Sequence, residues 1–324
     1  MSELKITVGL GSIDEYIPYV KAGADEVFCG YMPEKWSNKF GINKPINRRE
    51  VLNYNVQIGS SSELAILKEM TKEYRIPVVI AFNSIYYTKE QYPVLEEIIR
   101  ECMELGFSSF IVADIGLIIH LNQKGLTKMC NIYVSGEMSE VNSFMVKMLA
   151  ESGVKRIIFQ RRNIPSDMKK IIKNNPKLEY EAFAMNELCH FHGAFCSSLH
   201  CDELCHMCHV PYKIGNVYDK RDENNDDKID KEKRKDLDEE FDEEYVPGLT
   251  GCGLCALWDL RDANINYLKI VGRGNYIDDM LMDIKAMKQA IEILNKSLNK
   301  EEYKREMKAA IFKKGCGGRC YYKE

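Results

Sequence analysis

Short runs rich in β-branched and aromatic residues alternate with longer amphipathic runs along nearly the whole chain. Eight such runs can be counted, and they are KITVGL (5–10), EVFCGY (26–31), IPVVIAFN (76–83), SSFIVAD (108–114), NIYVSGEM (131–138), KRIIFQRR (155–162), LEYEAFAMN (178–186) and YLKIVGRG (267–274). Strict alternation of strands and helices is typical of βα units that form a parallel sheet. Because no glycine-rich phosphate loop follows the first strand, the pattern favours a TIM-like (β/α)8 barrel over a doubly wound sheet.

The runs between the strands carry helix signals. The run 89–106 places its apolar residues on one face and ends at Gly106, which suits a helix C-cap. The run 139–153 repeats this design, with Ser139 as the expected N-cap and Gly153 as the stop signal. These segments are expected to surround the barrel.

The chain of 324 residues is long enough for two ordinary domains or one large barrel. We expect residues 1–215 and 247–300 to form a single barrel, with a cysteine-rich loop after the seventh strand. Residues 216–246 are dense in charge and poor in apolar residues, as expected of a solvated insertion. Residues 301–324 are expected to form a cysteine-containing C-terminal tail.

Composition narrows the functional classes. Apolar residues make up 45% and charged residues 29% of the chain, and no run approaches the roughly 18 apolar residues of a membrane helix. The N-terminus lacks the features of a signal peptide, so we expect a cytoplasmic protein without disulfides or a membrane partner. A net charge of −4 gives no overall basic field for nucleic acid, although a local basic cleft remains open.

Polar residues occur where several predicted strands end, and a (β/α)8 barrel has its active site at those ends. Asn83, Glu137 and Asn186 are the candidate catalytic residues, which would orient the substrate or exchange protons. The candidate substrate-binding residues are Arg161, Arg162, Arg273 and Tyr31. The three arginines suit bidentate pairing with a carboxylate or a phosphate.

The cysteines are concentrated in one region. Residues 181–212 hold five of the twelve cysteines and five of the six histidines of the chain. Two close pairs, CHMC (205–208) and CGLC (252–255), are compatible with zinc knuckles. A zinc site of this kind would leave Cys189 and Cys196 without a role, whereas a four-iron cluster accommodates irregular spacing more readily. Both metals therefore remain open.

Several motifs resemble peptidase family U-32, the collagenase-like proteins. EAFAMNELC (181–189) resembles the family signature, with matches at Glu181, Phe183, Cys189 and Cys196. CHMCHVPY (205–212) is similar to the next cysteine-rich turn, and the segment 253–273 is similar to the final one, with matches at Cys255, Lys269, Gly272 and Arg273. The likeness spans nearly the whole chain except 216–246 and the tail.

The resemblance implies a four-iron, four-sulfur cluster. Its ligands would be Cys189, Cys196, Cys208 and Cys255, with Cys205 as the alternative to Cys208. The surplus of thiols leaves a second metal site open, with Cys201, Cys252, Cys316 and Cys320 as its members. Relatives act in oxygen-independent hydroxylation of tRNA, ribosomal RNA or quinone precursors, sometimes with prephenate as the oxygen source.

The expected function is therefore iron–sulfur-dependent, oxygen-independent hydroxylation, or a related modification, of an RNA base or a small aromatic substrate. The expected partners are that substrate and a paralogous or electron-donor protein. Departures such as Val271, where the family has an acid, leave the substrate open. Two alternatives are a non-catalytic iron–sulfur protein for electron transfer or assembly, and a cysteine- or metal-dependent peptidase. The peptidase has little support, because the chain lacks a zinc-protease His-Glu-x-x-His motif and a serine elbow.

Overall fold

The computed structural model describes residues 3–41, 44, 46–47, 56–138, 141–189 and 245–322. Eight parallel strands form a closed barrel in chain order, which confirms the predicted (β/α)8 fold. The strands are β1 (Lys5–Leu10), β2 (Glu26–Gly30), β3 (Val78–Phe82), β4 (Ser109–Val112), β5 (Asn131–Val134), β6 (Val154–Ile158), β7 (Glu179–Met185) and β8 (Tyr267–Ile270). Each overlaps one of the predicted runs. β8 pairs with β1, so the sheet has no free edge.

Helices surround the barrel. They are α1 (Tyr16–Ala22), α2 (Glu34–Phe40), α3 (Ser61–Tyr74), α4 (Tyr92–Glu104), α5 (Ile115–Gln123), α6 (Ser143–Glu151), α7 (Pro165–Asn174), α8 (Leu257–Asp262), α9 (Ile277–Lys296) and α10 (Lys300–Ile311). α9 packs against α1 and β1 and so completes the ring, while α10 packs on α9. None of the helices in the described part of the chain is long and apolar enough to cross a membrane.

Local sequence signals set the helix ends. α3 begins with a capping box, in which Ser60 and Glu63 satisfy each other's backbone N–H groups. α6 begins at Asn142, whose side chain accepts hydrogen bonds from two backbone N–H groups of the first turn. The expected cap, Ser139, lies outside the described residues. Gly153 follows α6 with a φ of 88°, a conformation that glycine adopts without steric cost.

The predicted insertion and the predicted tail have different outcomes. The charged segment 216–246 lies almost entirely outside the described residues. The segment 301–324, expected to be a tail, begins instead with α10, whose N-cap is Asn299. Extended chain begins only after this helix. Tyr303 and Met307 of α10 are fully buried, so the helix is a packed part of the domain.

Strand residues alternate between the barrel interior and the helix layer. On β2, Phe28 belongs to the inner cluster of buried side chains, together with residues such as Ile111 and Phe183. Cys29 and Tyr31 belong to the larger cluster between the strands and the helices. The direction in which a strand residue points therefore follows from its parity along the strand.

Candidate active site

The lower half of the barrel interior holds a buried charge cluster, which we call the barrel floor (Thr7, Glu26, Arg156 and Glu181). Arg156 on β6 pairs bidentately with Glu26 on β2, at 2.6 Å from Nη1 to Oε1 and 3.1 Å from Nη2 to Oε2. Nη1 also donates to Glu181 at 3.1 Å. Thr7 donates its hydroxyl to Glu26 at 3.1 Å. Since β2 and β6 are on opposite sides of the barrel, these bonds span its interior.

Aromatic rings complete the surroundings of Arg156. The guanidinium carbon lies 4.0 Å from the ring centroid of Tyr133 and 3.5 Å from that of Tyr267. Such stacking is favourable for a desolvated cation. Arg156 also donates its Nε–H to Glu179 at 3.1 Å. All three nitrogens of the guanidinium thus have partners, and the floor closes the lower end of the barrel.

Lys269 joins the floor to the space above it. Its ammonium lies 2.7 Å from Glu181 and 3.6 Å from the centroid of the Phe28 ring. Burial lowers the pKa of Lys269, and the carboxylate of Glu181 opposes this effect. Lys269 and Arg156 in turn lower the pKa of Glu181, which burial alone would raise. A lysine held in this way can donate a hydrogen bond or a proton upward.

Above Lys269, at the carboxyl ends of the strands, lies a cavity of about 50 Å³, which we call the mouth cavity. Four of the predicted site residues line it, and these are Asn83, Glu137, Arg161 and Arg273. Phe28, Phe183, Glu187 and Lys269 are among the further lining residues. A space of this size holds roughly three to five waters, or one edge of a ring.

Arg161 forms one wall of the mouth cavity. Its Nη1 lies 2.6 Å from Glu137, and its guanidinium carbon lies 4.0 Å from the centroid of the Phe183 ring. Burial lowers the pKa of Arg161, but Glu137, Tyr321 and Glu187 together outweigh burial and raise the pKa above its ordinary value, so the guanidinium stays charged. Its Nε is buried and has no hydrogen-bond partner among the described residues. A buried donor without a partner is costly, which makes this atom a candidate contact for a ligand.

Glycines make room for Arg273. A Cβ at Gly30 would lie 2.5 Å from Nη1 of Arg273 and 2.7 Å from the side chain of Asn47. A Cβ at Gly9 would lie 3.1 Å from Cγ of Arg273. Nη1 of Arg273 donates to Asn47 at 3.0 Å. A larger residue at Gly30 would force Arg273 or Asn47 to move, and one at Gly9 would press against Arg273.

Three predicted site residues are not among those that line the mouth cavity. Arg162 is exposed, and Tyr31 is buried in the layer between strands and helices. Asn186 is buried and donates its side-chain amide to Asp283 of α9. It has a φ of 68°, so it turns the chain at the end of β7. Whether any of the three contacts a substrate stays a prediction.

The C-terminal residues cover part of the mouth. The segment after the cysteine-rich loop pairs with the end of β7 through Met185 and Cys252, and the tail pairs with Cys252 through Cys320. The ring of Tyr321 stacks on Phe183, with centroids 6.4 Å apart, and its hydroxyl donates to the carbonyl oxygen of Asn186. The tail thus packs on Phe183, one of the residues that line the mouth cavity, which the tail sequence alone did not indicate.

Lys269 was also missed as a site residue. The available signal was the two-residue period of the strand, because Lys269, Val271 and Arg273 alternate onto one face and all line the cavity. Tyr321 offers no such signal, since its place depends on how the tail docks. The prediction used only the position of a residue at a strand end and ignored the side of the strand on which it lies. It therefore included Tyr31, which is buried between strands and helices, along with the residues that line the cavity.

The described cysteines lie in three places. Cys29, Cys102 and Cys130 are buried, while Cys189 lies half-buried just beyond β7. Cys252, Cys255, Cys316 and Cys320 lie near the tail. Cys196, Cys201, Cys205 and Cys208 fall outside the described residues. Within the ranges that the structure describes, no three His, Cys, Asp or Glu side chains are grouped so that they could hold a metal ion.

Comparison with known proteins decides the family. The model of peptidase family U32 matches residues 11–322. The chain belongs to this family. A search of curated proteins finds no match.

Among solved structures, the U32 peptidase Mk0906 is similar at 11% identity and a TM-score of 0.43, over 57% of this chain and 70% of that one. A structure described as native KDPGal is similar at 10% identity and a TM-score of 0.46, over 92% and 98%. Thiamine phosphate pyrophosphorylase from Pyrococcus furiosus is similar at 8% identity and a TM-score of 0.43, over 90% and 98%.

Of the predicted cluster ligands, Cys189 and Cys255 lie within the described residues. Cys189 lies three residues beyond Asn186, whose carbonyl oxygen accepts the hydrogen bond from Tyr321. Burial raises the pKa of Tyr321, and the charge of Cys189 adds to this effect.

Proposed function

We propose that the chain is an iron–sulfur enzyme that hydroxylates, or modifies in a related way, an RNA base or a small aromatic substrate without O2. The observation that carries this proposal is the buried Nε–H of Arg161 on the wall of the mouth cavity, a donor for which the described part of the chain offers no partner. Membership of family U32 and the barrel fold support an enzyme-like role at this end of the strands.

The cavity suits the edge of a planar, oxygen-bearing ring. Phe28 and Phe183 supply aromatic walls, and Arg161 supplies a charged donor for a carbonyl or carboxylate oxygen. Because the cavity measures about 50 Å³, only the reacting edge enters it and the rest of the substrate stays outside. A base of RNA would have to be turned out of its stack to be presented in this way.

Protein groups hold and move protons around this edge. Glu137 keeps Arg161 charged and fixes its guanidinium plane through the contact at 2.6 Å. Lys269 donates from below to an oxygen that gains negative charge during the reaction, and Glu181 keeps its ammonium in place. Asn83 is positioned to orient the substrate from the end of β3. Arg273 adds a second charged donor on the far wall.

The cluster would be held by Cys189, Cys196, Cys208 or its alternative Cys205, and Cys255, as the resemblance implies. When bound, it would transfer electrons one at a time. Hydroxylation removes two electrons from the ring carbon, so the oxygen would come from an organic hydroxyl donor that is reduced to its C–H form in exchange. Because the cluster and its thiolate ligands need reducing conditions and a source of electrons, we propose a cytoplasmic location and an electron-donor protein as partner.

A peptidase mechanism receives less support. A cysteine nucleophile needs a lowered pKa. Burial raises the pKa of Cys29 to about 12, that of Cys130 to about 11 and that of Cys252 to about 12. Burial raises the pKa of Cys102 and Cys255 as well. A raised pKa disfavours the reactive thiolate, so none of these five cysteines has the lowered pKa of an activated nucleophile.

The test begins with anaerobic purification of the full chain, iron and sulfide analysis, and visible and EPR spectra. RNA and small aromatic metabolites from an anaerobic host that expresses the chain are then searched by mass spectrometry for products that carry one additional oxygen. The proposal expects a coloured iron–sulfur protein and such a product. The product should disappear with Arg161→Met while the iron content stays unchanged.

The outcomes separate the alternatives. A colourless protein without iron would contradict the cluster. A protein with a full cluster but no oxygenated product in either pool would contradict the hydroxylase and favour the electron-transfer or assembly protein. Digestion of an unstructured protein substrate that survives removal of iron would favour the peptidase.

A further inference from the structure

The chain turns sharply just beyond β7, at Asn186 and Glu187. These residues have φ values of 68° and 52°, so two consecutive residues other than glycine adopt the left-handed conformation. This conformation is costly for a residue with a Cβ, and it persists only where neighbouring contacts enforce it. Backbone strain of this kind is concentrated at functional sites, so the turn indicates a side chain that has to be held in a defined place.

Hydrogen bonds from the segment before α8 hold this turn. The N–H of Asn186 donates to the carbonyl oxygen of Gly251 at 2.7 Å, and the N–H of Leu188 donates to the carbonyl oxygen of Thr250 at 2.9 Å. Between them, the N–H of Glu187 donates to the hydroxyl of Thr250 at 3.0 Å. Three successive N–H groups thus have partners, and the backbone of Glu187 is fixed on both sides.

The turn places Glu187 at the mouth cavity, where it is one of the lining residues. Arg161 follows β6, whereas Glu137 follows β5 and Glu187 follows β7. Because β6 lies between β5 and β7, the two carboxylates come from the strands on either side of Arg161. The charge of Glu187 is one of those that raise the pKa of Arg161 against the effect of burial. The carboxylate of Glu187 is therefore an electrostatic neighbour of the guanidinium.

Glu187 also sets the charge balance of the cavity. The charged residues among the described lining are Arg161, Lys269, Arg273, Glu137 and Glu187. Below them, Glu181 pairs with Lys269 at 2.7 Å, and Arg156 and Glu26 of the barrel floor add one charge of each sign. Positive and negative groups are then equal in number, so these residues give an anion no net attraction. Without Glu187, they would carry one excess positive charge.

Glu187 and Arg161 together present an acceptor beside a donor. The side chain of Arg161 is 10% exposed, and its buried Nε–H has no partner in the described part of the chain. An ionised glutamate accepts hydrogen bonds but donates none. A carboxylate bound to Arg161 would therefore be repelled by Glu187. A cyclic amide carries a carbonyl oxygen and an N–H side by side, so it can pair with both residues.

We propose that Glu187 is a specificity-determining residue of the mouth cavity, which selects a neutral substrate edge with a hydrogen-bond donor beside its oxygen and disfavours a carboxylate. This inference rests on the proposed function, which places the reacting edge of the substrate in the cavity. It narrows that edge to groups such as a cyclic amide.

The experiment compares the binding of 2-pyridone and benzoate to the full chain, purified under reducing, anaerobic conditions, by isothermal titration calorimetry at neutral pH. The two probes are similar in size, but 2-pyridone is a neutral cyclic amide and benzoate is a carboxylate. We expect the wild type to bind 2-pyridone at least about tenfold more tightly, since a hydrogen bond to a charged group is gained and a like-charge contact is avoided.

Glu187→Gln should reduce this preference at least about tenfold, because the repulsion of benzoate is lost together with the charged acceptor for 2-pyridone. Arg161→Met should lose the binding of both probes, which locates them at the mouth cavity. Glu97→Gln is the matched control, since it removes the same charge from the surface of α4, where Glu97 is 63% exposed. Its preference should stay within about twofold of wild type.

Glu187→Gly separates specificity from a structural role. Glycine adopts the left-handed conformation without steric cost, so this variant should unfold at the same or a higher urea concentration than wild type and still lose the preference. A lower urea midpoint in both Glu187 variants, with the preference unchanged, would show that Glu187 serves only to stabilise the turn.

A preference that is equal in wild type and Glu187→Gln would overturn the proposal. A wild type that prefers benzoate, or that binds neither probe, would also overturn it. Because binding is measured without turnover, the expected preference in a chain that forms no oxygenated product would contradict the hydroxylase and support the role of Glu187. An oxygenated product from a chain whose preference does not depend on Glu187 would do the reverse.

Discussion

The barrel floor and the mouth cavity use the same kinds of charged residue in different ways. In the floor, Arg156 engages two buried carboxylates and two aromatic rings, and each of its nitrogens has a partner. In the mouth, Arg161 pairs with Glu137 and stacks on Phe183, but its buried Nε–H has no partner within the ranges that the structure describes. We infer that the fully paired barrel floor stabilises the fold, whereas the mouth cavity leaves a buried donor available to a ligand.

Replacement of Arg156 should produce the largest effect on stability. Arg156→Met removes the only guanidinium of the floor and leaves Glu26 and Glu181 buried beside each other. We expect the free energy of unfolding to fall by about 3–5 kcal/mol, as is usual when one partner of a buried pair is removed. Urea unfolding followed by circular dichroism measures this change.

Arg100→Met provides the matched control. Arg100 pairs with Glu96 on α4 at 2.8 Å, but its side chain is 43% exposed. An exposed pair of this kind contributes about 0–1 kcal/mol. Similar losses in the two variants would show that the floor does not have the structural role assigned to it.

Replacement of Arg161 should affect turnover more than folding. Arg161→Met removes the unpaired donor from the cavity wall, and we expect the rate of product formation to fall about 10²–10³-fold, the usual loss when one preorganised donor is removed. Arg161→Lys keeps the charge but loses the planar Nε–H, so it should restore only part of the rate. Full activity of Arg161→Met would contradict the role of this atom.

The sequence predicted the fold better than it predicted the site. Eight alternating runs specify the barrel because local periodicity and barrel closure agree. At the site, Asn83, Glu137, Arg161 and Arg273 were found because strand ends are local features. Tyr31 was selected without regard to strand parity, which directs it into the helix layer.

Other features of the site depend on distant parts of the chain. Tyr321 reaches Phe183 only after α10 has packed and the tail has paired with Cys252. Asn186 binds Asp283 of α9, which is separated from it in sequence by the cysteine-rich loop, α8 and β8. Long-range docking of this kind leaves no periodic signal in a sequence.

The role of Asp283, which binds the turn at the end of β7, can be tested through the pH dependence of stability. It accepts hydrogen bonds from Asn186, from the hydroxyl of Tyr245 at 2.7 Å and from the N–H of Gly248 at 2.9 Å. Burial raises its pKa from the ordinary 3.8 to about 6. A folded-state pKa above the unfolded value means that its contribution to stability is complete below about pH 4 and is lost as pH rises through about 6.

Asp283→Asn should remove this pH dependence. A pKa that is about two higher in the folded state than in the unfolded state corresponds to about 3 kcal/mol, so the wild type should lose up to that amount relative to the variant between pH 4 and pH 7. Urea unfolding at integer pH values across this range gives the two profiles, and their difference cancels the other titrating groups. Parallel profiles would show that the Asp283 carboxyl keeps an ordinary pKa.

The smallest effect is expected at Arg162, the neighbour of Arg161 in the chain. Arg162 is exposed and is not among the residues that line the mouth cavity. Because a surface substitution usually changes stability by less than about 0.5 kcal/mol, Arg162→Met should leave the free energy of unfolding nearly unchanged. Turnover should stay within about twofold of wild type, since no contact with the reacting edge is lost. A loss as large as that of Arg161→Met would mean that the substrate extends across the rim and binds both arginines, as their positions in the sequence first predicted.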